Sequence, residues 1–182
     1  MTAYNTGSDV ANTAVRAFLT KVGEFYLGRN FNVKHGRAKK DWERIRDEVF
    51  GKKCAYCEKK FIKLQIEHLI MFNRKEFGLH HPGNVVPVCS NCNNRRVEEG
   101  IYINWEKQLK TICQEKGEIA KFKKRKDKIK KHIKKEKYPK LSKEEQNAIR
   151  VIAESLYANT KSELNKSIEL YEKLDKAFVS KK

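Results

Sequence analysis

The spacing of apolar residues divides the chain into recognisable pieces. From about Asp9 the residues Val15, Phe18, Leu19, Val22 and Tyr26 recur at steps of three and four. That is the period of a helix with one buried face. Gly28 and Asn30 predict its end. Residues 1–8 read as a loose tail and 29–38 as a polar, basic connector. A second helix is expected over about 40–50, with Trp42, Ile45 and Val49 on one side and Gly51 as its stop. The pattern then changes. Cys54-Ala-Tyr-Cys57 reads as a tight turn, and the alternation of Ile62, Leu64 and Ile66 predicts a strand within 61–70. Residues 73–84 read as loop and Val85 to Val88 as a short apolar piece. Cys89-Ser-Asn-Cys92 then leads toward a helix.

Beyond Gly100 the helical period returns. A helix over about 104–137, broken near Gly117, carries Ile119, Phe122, Ile129 and Ile133 on one face, and Pro139 ends it. Ser142-Lys-Glu-Glu145 is a capping-box signature for a helix with the stripe Ile149, Ile152 and Leu156. Leu164, Ile168, Tyr171, Leu174 and Phe178 predict a last, separate helix. The expected class is α+β and mostly helical: an N-terminal helical segment (1–50), a small mixed core (51–100) and a basic C-terminal helical region (101–182).

Charge narrows the choice of partner. The formal net charge is +18, from 41 Lys+Arg against 23 Asp+Glu, and such a one-signed field attracts polyanions. Nucleic acid is the first expectation and an anionic membrane surface the second. No apolar run reaches the length of a membrane span, and no secretory signal is visible at the start of the sequence. A cytoplasmic, reducing location is expected, where five cysteines serve better as metal ligands than as disulfides. Two C-x-x-C pairs, Cys54/Cys57 and Cys89/Cys92, suit a tetrahedral structural Zn²⁺. Cys113 lies outside both pairs and reads as a small core residue. Residues 121–140 hold twelve Lys/Arg against two acids. Lys123, Lys124 and Arg125 are candidates there for contact with a phosphate backbone. His35 and His132 read as surface residues. His80 and His81 read as loop residues, mostly solvated, that could reach DNA or metal.

What lies between the cysteine pairs carries the chemistry. Glu67-His68 stands at the end of an apolar strand, Asn84 precedes Val-Val-Pro-Val, and Asn93-Asn-Arg95-Arg96 follows the last cysteine. Neighbours in a regular strand point to opposite faces, so a bulge or strand end is expected if Glu67 and His68 serve one site.

The order C-x-x-C, acid-His, Asn before an apolar run, C-x-x-C-Asn and a basic residue resembles the HNH (ββα-metal) endonuclease family over residues 54–96. That resemblance implies a zinc-bound ββα-metal core that hydrolyses DNA with one catalytic Mg²⁺ or Mn²⁺. Glu67 and Asn93 would hold that ion, His68 would be the general base, and Asn84 would steady the His68 loop. Arg95 or Arg96 would meet a phosphate, and the products would carry 5′-phosphate and 3′-hydroxyl ends. Two positions depart from the family's habit: Met71 stands where proline is frequent, and Glu67 where aspartate is commoner. The resemblance covers about a quarter of the chain. A restriction, phage or defence nuclease acting on double-stranded DNA is the reading it favours. The alternatives are a zinc-ribbon module that binds nucleic acid without cutting, and a subunit whose C-terminal helices dock a partner protein or a second copy.

Overall fold

The computed structural model describes residues 6–31 and 33–179, so most of the expected N-terminal tail lies outside the described residues. Helix α1 spans Gly7–Leu27. Thr6 caps it, its hydroxyl oxygen accepting from the Asp9 amide at 3.2 Å. Gly28, at φ 70°, ends it. The predicted stripe is the face that packs: Val15 and Leu19 join Leu79, Ile149 and Ala153 in one cluster, with Phe18, Val22 and Tyr26 against it.

Helix α5, Lys143–Leu174, lies along α1. The capping box forms as the sequence foretells. Ser142 Oγ accepts from the Glu145 amide at 3.2 Å, and Glu145 Oε2 accepts from the Ser142 amide at 2.7 Å. The other Glu145 oxygen accepts from Tyr26 Oη at 2.6 Å, so the cap also ties α5 to the end of α1. Two helices were expected here and one is found. Residues 157–164 contain neither glycine nor proline, so nothing interrupts the helix between the two stripes. Its 32 residues outrun the 21 of α1. The first turn of α1 meets α5 at Leu164 and Asn165, and past that point Ile168, Leu170, Tyr171 and Leu174 are exposed.

A second, larger cluster surrounds the cysteines. Helix α2 (Gly36–Arg44) starts earlier than its apolar residues indicate and finishes in a widened π turn, Ile45–Val49, before Gly51 at φ 64°. It supplies Ala38 and Trp42; Ile45 follows in the π turn. Strand β1 (Gln65–His68) pairs antiparallel with β2 (Val85–Val88), Gln65 opposite Val88 and His68 opposite Val85. The longer strand expected over 61–70 is cut to four residues because β2 offers only four partners; Ile62 is fully exposed.

After Cys92 the expected helix is delayed by a hairpin, β3 (Val97–Glu98) and β4 (Ile101–Tyr102). Glu99 and Gly100, both at positive φ, form the two-residue turn such a hairpin prefers. Helix α3 (Trp105–Glu115) follows, capped by Asn104, and Gly117 at φ 66° makes the expected break before α4 (Phe122–Lys135).

Helix α4 corrects one expectation. His132 is buried, its Nε2 set 3.0 Å from both the Pro82 and Val85 carbonyls, where it locks α4 against the entry to β2. His35 is exposed, as expected. The whole is α+β and mostly helical. Among the described residues no helix is long and apolar enough to cross a membrane.

Candidate functional site

The two C-x-x-C turns meet in the core. The first is closed by the Glu58 amide donating to the Cys54 carbonyl at 2.9 Å. It is fastened to β2 by the Ala55 amide donating to the Pro87 carbonyl at 2.7 Å. The second closes through the Cys92 and Asn93 amides, both donating to the Cys89 carbonyl at 3.0 Å. The four buried sulfurs lie within 4.8 Å of one another. Cys57 Sγ and Cys89 Sγ are 3.9 Å apart. A tetrahedral zinc with Zn–S bonds of about 2.3 Å needs a sulfur–sulfur edge of about 3.8 Å, so donor set and spacing both fit. Hydrogen bonds among the thiols pull Cys57 down to about 2 and push Cys54 up to about 12. One sulfur sheds its proton readily at the expense of the others, and a dication removes that conflict. Cys113 is buried outside the cluster, within the same core.

Glu67 lies in the face of β1 that also carries Gln65. Its Oε1 accepts from Arg95 Nε at 3.0 Å, from Arg95 Nη2, and from Tyr56 Oη at 3.4 Å. Arg95 also donates to the carbonyls of Ile103 at 3.1 Å and His68 at 3.0 Å. Both side chains are buried. Burial raises the Glu67 pKa, and the Arg95 cation works against that rise. All three contacts fall on Oε1. Oε2 has no hydrogen bond among the described residues, yet is not a buried orphan, so it keeps an opening to solvent. Replacing Arg95 with Met is expected to cost about 3–5 kcal/mol, because it strands a buried carboxylate. Adding Glu67→Gln should recover most of that loss in urea unfolding. A single variant within about 1 kcal/mol of wild type would mean that Glu67 relaxes into water.

His68 leaves β1 on the opposite face. The register is regular through it, and no bulge turns it toward Glu67. Its ring stacks on Phe72 at 4.7 Å, and its Nε2 lies 2.9 Å from His80 Nδ1. Burial pushes its pKa down to about 3, with neighbouring His80, Arg16 and Arg95 adding to the shift, so the ring is neutral at neutral pH.

Asn84 clips the loop that follows. Its Oδ1 accepts from the Ile70 amide at 2.8 Å, and its Nδ2 donates to the Ile70 and Leu79 carbonyls, both at 2.9 Å. The neck is so narrow that a Cβ on Gly78 would lie 2.1 Å from the Ile70 oxygen. His81 is buried in the same turn, its Nδ1 accepting from the Gly83 amide at 3.0 Å. Asn93 is half-buried and its Nδ2 donates to Gln65 Oε1 at 2.7 Å.

The structure thus gathers Gln65, Glu67, Tyr56, Arg95 and Asn93 on one side of β1, and His68, Phe72 and His80 on the other. Arg95 bridges the two groups through Glu67 and the His68 carbonyl. Tyr56, Gln65 and His80 were not singled out as parts of the site by sequence reasoning. The strand alternation of 65 with 67 is the one signal that marks Gln65.

The basic candidates fall into two classes. Arg95 and Arg125 are buried and engaged inside the fold, Arg125 by Glu58 at 3.1 Å, Glu118 at 2.7 Å and Cys113 Sγ at 3.4 Å. Arg96 reaches Glu115 at the surface, and Lys123 and Lys124 are exposed on α4, lining a shallow groove with Lys128 and Lys131.

No curated protein and no solved structure matches the chain. The family model described as HNH endonuclease matches residues 54–99, from the first zinc cysteine to the turn of the hairpin. The stretch that joins four clustered thiols to the Glu67-His68 strand and to Asn93 is therefore an HNH endonuclease domain, and through it the chain belongs to that family.

Proposed function

We propose that the protein is a metal-dependent DNA endonuclease whose centre is the HNH domain. The observation that carries this reading is the match over 54–99, within which Glu67, His68, Asn84 and Asn93 occupy the family's chemical positions. Glu67 Oε2, open to solvent, and Asn93 Oδ1 are the oxygens offered to a hard cation. Mg²⁺ or Mn²⁺, when bound, neutralises charge on the phosphate and on the leaving oxygen. His68, neutral at neutral pH, takes the proton of the attacking water. Asn84 keeps the His68 loop closed. Arg96, Lys123 and Lys124 remain for phosphates, since Arg95 and Arg125 are spent on carboxylates. The net charge of +18 suits a double-stranded DNA substrate, and a restriction, phage or defence setting fits such an enzyme. One site cuts one strand, so a second copy is needed for both; the exposed apolar face at the far end of α5 is the surface we assign to it.

A second reading is a zinc module that binds nucleic acid without cutting it. It draws on the Glu67–Arg95 pair, which a purely structural strand would also use. The two part on one experiment: zinc-loaded protein is incubated with supercoiled and linear DNA in Mg²⁺, Mn²⁺ or EDTA. Nicking that requires the added cation and leaves 5′-phosphate ends supports the nuclease. Binding without nicking, on plain and modified DNA alike, favours the module.

A further inference from the structure

The loop after β1 returns to that strand through an imidazole. His80 Nδ1 stands 2.9 Å from His68 Nε2, and one of the two nitrogens must carry the proton. The second partner of His80 is the Phe31 backbone, in an interaction that favours the protonated ring and so runs to the carbonyl oxygen. A carbonyl only accepts. With Nδ1 facing His68, neutral His80 therefore holds its proton on Nε2. His80 Nδ1 is then an acceptor, His68 Nε2 donates to it, and His68 Nδ1 keeps its lone pair. Both rings are half-buried, and burial favours their neutral forms.

His80 is itself held from outside the HNH segment. The Phe31 ring packs on it at 4.9 Å, and Glu24 Oε1 accepts from the Phe31 amide at 3.2 Å. Helix α1 comes so near that a Cβ on Gly23 would stand 2.4 Å from the His80 oxygen.

We propose that His80 is a positioning residue, which fixes the His68 ring in the tautomer whose Nδ1 is free to accept a proton, and that α1 docks to hold it there. The proposal rests on the nuclease reading above. It makes an assignment that the matching segment alone does not, because α1 and Phe31 lie outside residues 54–99.

The test uses the full zinc-loaded chain. His80→Ala is expected to lower kcat for DNA cleavage about 10–100-fold with KM little changed, the usual effect of removing an orienting partner. His80→Asn, which keeps an oxygen near the place of Nδ1, should stay within a few-fold of wild type. Imidazole ¹⁵N shifts of the wild type should show His68 protonated on Nε2 alone, and those of His80→Ala a mixture of tautomers. Unchanged kcat in His80→Ala, no rescue by His80→Asn, or wild-type His68 protonated on Nδ1 each overturn the assignment. Wild-type protein that cuts no DNA overturns the nuclease reading, and any catalytic role for His80 with it, whatever the tautomer.

Discussion

Protein with His68→Ala is expected to bind DNA as the wild type does and to cut it about 10²–10⁴-fold more slowly, the span that a positioned general base contributes. Three features direct the loss to the chemistry. The ring is neutral at neutral pH, one of its nitrogens is committed to His80, and the other is not. The backbone around it is held independently, by Arg95 on the His68 carbonyl and by the Leu69 amide donating to the Asn84 carbonyl at 2.9 Å. The zinc turns make no contact that the substitution removes. Zinc content and thermal midpoint should therefore stay near wild type, apart from the stacking on Phe72. Gel-shift affinity and initial nicking rates, measured on one preparation, separate the outcomes. Full activity in the variant would move His68 into the structural frame, and loss of DNA binding in parallel with cutting would do the same.

Stripping the zinc should have the largest effect on stability. Cys54, Cys57, Cys89 and Cys92 are part of the main core, packed with Phe50, Tyr56, Val88 and Leu109. Structural zinc contributes on the order of 10 kcal/mol or more, comparable to the whole stability of many domains. A thermal midpoint lower by roughly 20 °C or more is expected for chelated protein or for Cys89→Ser, at about 2–4 °C per kcal/mol in a chain of this size. Thiolates bind the ion and protons compete for them, so zinc should leave as pH falls and return as it rises. One equivalent of zinc released per chain by a thiol-modifying reagent, together with that drop, would establish the role. An unchanged midpoint in zinc-free protein would mean that four thiols pack well enough by themselves.

The elements written in local chemistry were legible in the sequence. The stripe of α1 with its terminal Gly28, the break at Gly117, the capping box at Ser142 and the cysteine pairs each depend on residues a few positions apart. Where a partner distant in the chain decides, the local pattern misled. Arg95 is drawn inside by Glu67, 28 positions away, and Arg125 by Glu58, 67 positions away, so cations that look solvated in sequence are core residues. His132 is buried by carbonyls from the entry to β2. The strand over 61–70 was cut short by the length of its partner. The hairpin at 97–102 was signalled by Glu99-Gly100 between apolar residues, a cue easily lost in so polar a stretch. The Glu67-His68 pair was legible as chemistry, whereas the regular register that sends the two side chains to opposite faces was not.

The clasp between α1 and α5 also sets the order in which the protein can become whole. Leu79, Phe72 and Phe77 of the loop after β1 pack against a cluster built from both helices, and α5 follows every other helix in the chain. During synthesis the zinc turns and the β1–β2 pair can close as soon as residue 92 has emerged. The loop that carries His80 still lacks half of its support until α5 arrives from about sixty residues further on, by the slow closure of contacts distant in sequence. Metal uptake and the ordering of the base are thus separate events in the birth of the molecule, and a chain still on the ribosome would hold its zinc before it could use His68.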